Sequence, residues 1–329
     1  MTAPSAREFI VGVDLGGTNI VTGALPADGS HTYGVRSAAT DVGSGADTVV
    51  DRIVAQIEQT IADTMTEAGV SRDAFRGVGV GAPGPLDRKH GLVIVAPNLG
   101  WKNFPLRDRI STRVHLPTTL DNDANCATVG EWWLGAARGA RHVVGLTIGT
   151  GIGGGLIVDG KLFHGASDVA GEIGHTTIDV NGRHCKCGNY GCLEAYASGP
   201  AIATRAREVL ARDGAGSLMP AMVQGDLERL TAQTVYDAAK QGDPVADEIV
   251  RDTARYLGAA LANLLNIFNP DVVVVAGGVT LAGDRLFAPL LAEVRRRAFA
   301  PAVEAVRIVP GELPGTAGVV GAVRTFLDS

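Results

Sequence analysis

The sequence predicts an α/β protein built as two lobes, and three observations carry that expectation. At 329 residues the chain exceeds what a single hydrophobic core ordinarily serves. Apolar runs of strand length alternate with longer stretches whose apolar residues recur at helical spacing. Two strand-turn-strand units with glycine corners share a grammar that points to a duplicated unit, one in each lobe.

Taken in order, "FIVGVDLGG" reads as a buried strand ending in a glycine turn. "NIVTGALPADGSHTYGVRSAA" continues as a second strand, a turn at Asp28-Gly29, and a third strand. That meander is not the strand-to-helix opening of a dinucleotide fold. Val49, Ile53, Ile57 and Ile61 fall at helical spacing within residues 45–69, and Gly69 is placed to end the helix. "FRGVGVGAPGPLD" is a buried strand running into a Gly/Pro loop. Residues 118–134 predict a short strand and then a helix starting near Asp123, and "HVVGLTIGTGIGGGLIVDGKLFHG" is the second glycine-cornered hairpin. Asp243-Pro244 reads as an N-cap with proline at the first helical position. Ile249, Tyr256, Ala260, Leu264 and Phe268 continue a long buried helix to Asn269-Pro270, and "DVVVVAGGV" is a strand buried on both faces. The hinge is expected near 121–125, giving lobes of 1–122 and 123–329, with the return of the last helix to the first lobe left open.

Lys and Arg total 29 against 35 Asp and Glu, a net charge of −6, which argues against a general nucleic-acid surface. With 46% hydrophobic and 19% charged residues the chain can bury large cores. Its expected partners are small molecules or further copies of itself. "MTAPSAREFI" lacks the features of a leader, and no apolar run approaches the roughly 20 residues of a membrane helix. A cytoplasmic location with no membrane partner is therefore expected. In that reducing compartment clustered cysteines are more often metal ligands or redox groups than disulfides.

"DLGGTN", Asp14 to Asn19, is a turn in which Gly16 and Gly17 remove the side chains that would keep a phosphate from the backbone N–H groups. Asp14 is placed to hold a metal-bound water, and Thr18 and Asn19 add donors. An ordinary tight hairpin would look the same, but the turn recurs. Thr150 and Gly151 in "IGTGIGGG" occupy the same point of the second hairpin, and Gly277 and Gly278 in "AGGV" make a third corner after a buried strand. No Gly-Lys-Ser/Thr follows, so this is not a P-loop. Here the chain resembles the sugar-kinase, hexokinase and actin superfamily. That resemblance implies a two-lobed actin-like ATPase, or ribonuclease H-like, fold with an interlobe cleft. It also implies ATP, its phosphates on the first two corners and its adenosine by the third.

"LDNDANCATVGE", Leu120 to Glu131, supplies carboxylates and amides at the expected hinge. A carboxylate there could take the proton of a substrate hydroxyl, since phosphoryl transfer mostly needs the nucleophile held in line. Asp123 is the choice for that base, with a plain helix N-cap as its alternative role; Asn122 would grip a neighbouring hydroxyl.

"HCKCGNYGCLEAYASG" gathers three of the chain's four cysteines. With His175, residues Cys185, Cys187 and Cys192 form the Cys₃His set that suits a closed, structural zinc site. Gly188 and Gly191 would let the loop curl, His184 is a rival ligand, and no C-x-x-C redox pair is present. Cys126 reads as a small buried apolar residue. The metal would fix Glu172 and Glu194 on one loop system, and rigid carboxylates suit the reading of sugar hydroxyls.

"GEIGHTT" with "CKCGNYGCLE" resembles the signature of the ROK family of repressors, open reading frames and kinases. The likeness runs from Val11 through the last glycine strand. It implies that Asn122, Asp123, Glu172, His175 and Glu194 contact the sugar, with Asp123 as catalytic base, His175 serving both zinc and sugar, and Gly84 lining the pocket. It also implies ATP with Mg²⁺, a structural Zn²⁺, and a homodimer or homotetramer. "PNLGWKNFPL" resembles the glucokinase branch. The implied activity is phosphorylation of glucose at O6, with N-acetylmannosamine, N-acetylglucosamine, mannose or fructose as alternative substrates. The repressor branch resembles the kinases but carries a DNA-binding segment of several dozen residues before the first glycine strand. The short stretch before Asp14 and the absence of a basic recognition helix favour the kinase.

Overall fold

The computed structural model describes residues 8–213 and 216–329. Its contacts divide the chain into two compact units, the first comprising the chain to Ala140, Gly155–Gly171 and Glu312–Ser329, the second Arg141–Gly154 and Glu172–Gly311. In chain order the elements are β1 (Phe9–Leu15), β2 (Asn19–Pro26), β3 (Tyr33–Ala39), α1 (Ala46–Ala68), β4 (Phe75–Ala82), β5 (Leu86–Asp87), β6 (Leu92–Ala96), β7 (Trp101–Phe104), α2 (Leu106–Val114), β8 (Thr118–Asn122) and α3 (Asp123–Trp133). They continue with β9 (Val143–Ile148), β10 (Ile152–Val158), β11 (Lys161–Leu162), α4 (Glu194–Ala197), α5 (Gly199–Asp213), α6 (Met219–Met222), α7 (Ala232–Lys240), α8 (Pro244–Phe268), β12 (Val272–Ala276), α9 (Asp284–Arg297), α10 (Ala300–Ala305), β13 (Arg307–Pro310) and α11 (Ala317–Leu327).

The first unit is organised on a sheet of order β3-β2-β1-β4-β8. β1 runs antiparallel to β2 and parallel to β4, so α1 supplies the crossover that a parallel pair requires. Alternation along β1 sends Phe9, Val11, Val13 and Leu15 into one core with Ile53 and Ile57 of α1, and Ile10 into another with Val319, Val320 and Val323 of α11. Glycines let α11 approach closely. A Cβ on Gly12 or Gly79 would fall 2.2 Å from the Val319 carbonyl oxygen or 1.9 Å from that of Ala322. Gly69 caps α1 in the left-handed conformation, its N–H on the Met65 carbonyl, as its position predicts.

The second five-stranded sheet has the order β11-β10-β9-β12-β13, with β12 parallel to both neighbours and all four valines of its start buried. Asp243 caps α8 through the N–H groups of Val245 and Ala246, with Pro244 at the first helical position.

Two expectations need correction. The first unit runs to Ala140 rather than stopping at residue 122, because α3 packs on α11, whose Gly321 lies so near the Cys126 carbonyl oxygen that a Cβ would come within 1.6 Å. The buried stripe of α8 is also offset from the expected one. Val250, Thr253, Ala254, Leu257, Leu261 and Leu265 join Ile249, Ala260 and Leu264 in the interior, while Tyr256 is half-buried and Phe268 exposed. A helix this rich in apolar residues offers two overlapping stripes, and only the packing partner chooses between them.

Candidate active site

In the first unit, the Asp14–Asn19 corner is closed by Gly16 N–H on the Asn19 carbonyl at 2.9 Å, and by Thr40, whose hydroxyl donates to the Gly16 carbonyl at 2.8 Å. Thr40 N–H reaches the Thr18 carbonyl at 2.8 Å. A Cβ on Gly17 would meet only the Asn98 side chain, at 3.5 Å, so the fold itself does not demand glycine there. The Asp14 carboxylate lies against Gly318 at the start of α11, where a Cβ would come within 2.3 Å of Oδ2. Burial pushes its pKa up to about 7, and the Asp123 carboxylate adds to the rise.

α3 starts at Asp123, as expected, and Asn122 rather than Asp123 is its N-cap. Asn122 Oδ1 accepts from Ala124 N–H at 2.9 Å and Asn125 N–H at 3.1 Å. The capping role weighed for Asp123 is thus taken by its neighbour, although Asp123 Oδ1 does accept from Ala124 N–H at 2.8 Å. Gly84 has φ +91, and a Cβ there would sit 2.1 Å from the Val95 carbonyl oxygen, so only glycine keeps this loop closed.

In the second unit, His175 Nδ1, Cys185 Sγ, Cys187 Sγ and Cys192 Sγ all lie within 4.8 Å of one another. Cys185 Sγ is 3.8 Å from His175 Nδ1, and Cys187 Sγ is 3.7 Å from Cys192 Sγ. A tetrahedral ion with Zn–S bonds of about 2.3 Å has edges of about 3.8 Å, so the donor set fits zinc. Burial and the neighbouring thiols push Cys192 up to about 12, which is the cost of crowded thiolates that a bound divalent cation would offset. His184 is not part of the set; it is exposed and its ring meets Tyr190 edge-on at 5.1 Å.

The loop geometry explains the spacing. Gly188 and Gly191 have φ of +94 and +72, and a Cβ on Gly191 would fall 1.7 Å from the Asp179 carbonyl oxygen. Leu193 N–H donates to the Thr176 carbonyl at 3.0 Å, tying the cysteine loop back to the segment that carries Glu172 and His175. Glu194 Oε1 lies 4.0 Å from Cys185 Sγ, while Oε2 accepts Ile152 N–H at 2.9 Å and occupies the space a Cβ on Gly151 would need. One carboxylate therefore touches both the cysteine loop and the Thr150–Gly151 corner.

Beside that corner lies a cavity of about 490 Å³ lined by Thr150, Gly199, Ala203, Leu230, Tyr236 and Gly278, among others. Gly277, at φ +102, turns the chain under it, and a Cβ there would strike the Ile148 carbonyl oxygen at 2.1 Å. Thr150 and Gly278 were expected here; the walls from α5 and α7 were not. Those walls are ordinary Ala, Leu and Tyr positions, and the only sequence hint is Gly199-Pro200 opening a helix beside the corner. No local pattern in the sequence marks Arg88, Asp121 and His164, which the fold brings together on the Asp121 carboxylate. Among the described residues no helix is long and apolar enough to cross a membrane.

The ROK family model matches residues 10–328. A glucokinase of Thermotoga maritima is 37% identical over 320 residues, 97% of either chain. A putative xylose repressor of a Caldicellulosiruptor species is 33% identical, covering 97% of this chain and 78% of its own. The crystal structure of a ROK family glucokinase from Streptomyces griseus, in complex with glucose and AMPPNP, superposes with a TM-score of 0.83 at 35% identity, covering 96% of this chain and 98% of that one. With a family match across almost its whole length, this chain belongs to the ROK family.

Proposed function

We propose that the protein is an ATP-dependent glucokinase. Its relatives make it a sugar kinase; glucose and ATP are the finer assignment. The reading is carried by the capped Asn122-Asp123 helix start in one unit and, in the other, by the Cys₃His set on the loop that bears Glu172 and Glu194. Those are the positions at which the resemblance to the family implies contact with the sugar. The likeness to a glucokinase holding glucose and AMPPNP, an ATP analogue, supports both substrates.

Glucose hydroxyls are held by Asn122 Nδ2, Glu172, His175 and Glu194, with the loop at Gly84 along one side. The adenosine of ATP occupies the cavity at Thr150 and Gly278, and the phosphates follow the glycine corners, where N–H groups face them without side chains between. Asp14 would hold magnesium through water, and that ion supplies charge neutralisation across the phosphate oxygens. Asp123 takes the proton from O6 as the O6–phosphorus bond forms and the bond from the γ-phosphorus to the bridging oxygen breaks, releasing ADP. His175 Nδ1, with the three thiolates, would hold zinc, whose contribution is rigidity: a closed four-ligand site has no open position for a substrate.

ADP release would be measured with glucose, mannose, fructose, N-acetylglucosamine and N-acetylmannosamine, each with ATP-Mg and with polyphosphate. Turnover on glucose with ATP far above the rest is expected. Preference for another sugar would replace the substrate while keeping the chemistry, and no turnover on any would return attention to the sugar-sensing role borne by the xylose repressors. Light scattering should report a dimer or tetramer.

A further inference from the structure

Asp121 is 2% exposed and directly precedes Asn122. Its Oδ1 accepts Asn122's own backbone N–H at 2.8 Å and Asn125 Nδ2 at 3.2 Å. Its Oδ2 pairs with His164 Nε2 at 2.8 Å and lies 3.0 Å from Arg88 Nε. Arg88 in turn lies 3.7 Å from Asp168. One buried carboxylate therefore gathers the loop after Gly84, the 163–171 loop and the first turn of α3. Because a carboxylate only accepts, the His164 nitrogen facing it is the protonated one.

The bonds form a relay. His164 fixes Asp121 Oδ2; Asp121 Oδ1 fixes the Asn122 backbone; Asn122 Oδ1 caps Ala124 and Asn125. Without His164, Asp121 Oδ2 would keep only the Arg88 guanidinium, an ion-pair neighbour whose Nε makes no hydrogen bond to it, and a buried carboxylate that loses a donor turns toward the partner that remains. Nothing in the relay after Asp121 is free to absorb that shift without moving the start of α3.

We infer that His164 is a positioning residue for phosphoryl transfer: through Asp121 it holds the start of α3, and so sets where Asn122 Nδ2 and the Asp123 carboxylate stand. This rests on the reading of Asp123 as the base. His164 side-chain exposure is 19%, and the group borders a cavity of about 480 Å³, so a smaller side chain there leaves the main cores intact.

The test compares full-length His164→Ala with His164→Gln, whose amide nitrogen can reach the same oxygen. Turnover is measured with whichever sugar the wild type prefers, alongside thermal melting and hydrogen exchange of the peptide spanning 119–126. His164→Ala is expected to lower kcat about 10-fold to 100-fold, the usual cost of losing a supporting partner. KM for ATP should be unchanged, the melting temperature should fall only a few degrees, the cost of one buried hydrogen bond, exchange in 119–126 should be faster, and His164→Gln should restore most of the kcat and the protection. Wild-type kcat in His164→Ala, or equal loss in both variants, would overturn the inference. If the wild type turned over no sugar, the functional reading would fail, yet exchange would still decide: unchanged protection of 119–126 in His164→Ala would overturn the relay itself.

Discussion

In the first unit the residues proposed for the chemistry, Asn122 and Asp123, are held by hydrogen bonds that converge on Asp121; in the second, Glu172 and Glu194 flank a loop closed by His175 and three thiols. The difference follows local structure. Asn122 and Asp123 stand where β8 becomes α3, so regular elements already fix the backbone and a few bonds suffice. The segment from Glu172 to Leu193 has only one short 3₁₀ turn and two isolated bridges of regular structure, with backbone bonds such as Ile178 N–H to the Gly191 carbonyl tying its strands. A loop with so little regular structure is one that a metal held by the Cys₃His set would brace.

The largest expected effect separates chemistry from grip. Asp123→Asn should lower kcat by about 10²-fold to 10⁴-fold, the usual contribution of a general base, while glucose binding measured by calorimetry stays near wild type. Turnover left intact would remove Asp123 from its role and leave the first unit as a plain capped helix.

Asp14→Asn tests what the first unit gives up for its site. The Asp14 pKa rises from 3.8 to about 7, mainly through burial. An acid whose folded pKa is raised keeps its proton in the folded state, so its contribution is fully favourable below 3.8 and is lost as pH climbs to about 7. About three units at about 1.4 kcal/mol each make a penalty of roughly 4 kcal/mol above pH 7 without magnesium. Urea unfolding of magnesium-free protein should therefore show Asp14→Asn gaining on wild type between pH 4 and 7, then levelling off. A constant difference across that range would mean the carboxylate is better hydrated than its surroundings suggest.

Cys187→Ser breaks the second unit's device. Cys187 is exposed while Cys185 and Cys192 are buried, so the substitution removes a ligand without opening a core. Zinc content by elemental analysis should fall from one per chain, the melting temperature should drop, and glucose should bind about 10-fold to 100-fold more weakly. Full glucose affinity in zinc-free protein would leave the metal a stability device with no bearing on the sugar.

What could be read from the chain follows the range of the interactions. The glycine corners, the N-cap at Asp243, the start of α3 at Asp123 and the cysteine cluster are local patterns, and each was legible. The unit boundary was not, because α3 is claimed for the first unit by α11, nearly two hundred positions later. Asp121 was hidden for the same reason: its partners Arg88 and His164 lie 33 and 43 positions away, and no periodicity marks a lone buried acid. The sequence put His175 ahead of its rival His184, and the backbone agrees, turning the first ring toward Cys185 and the second toward Tyr190.

The smallest structural perturbation is the most discriminating for the nucleotide corners. Gly277→Ala should unfold its corner, since φ is +102 and the added Cβ would overlap the Ile148 carbonyl. Gly17→Ala faces neither problem: the new methyl would make ordinary contact with Asn98 at 3.5 Å. Its effect on stability should stay within about 0.5 kcal/mol, as for a surface change away from strain. If phosphate oxygens approach the Gly17 N–H, however, the methyl stands in their path, and KM for ATP should rise about tenfold, near the worth of one hydrogen bond to a charged group. Stable protein with weakened ATP binding would show that the space at Gly17 belongs to a ligand. Stable protein with unchanged ATP binding would reduce the corner to a turn and place the phosphates on the Thr150–Gly151 corner alone.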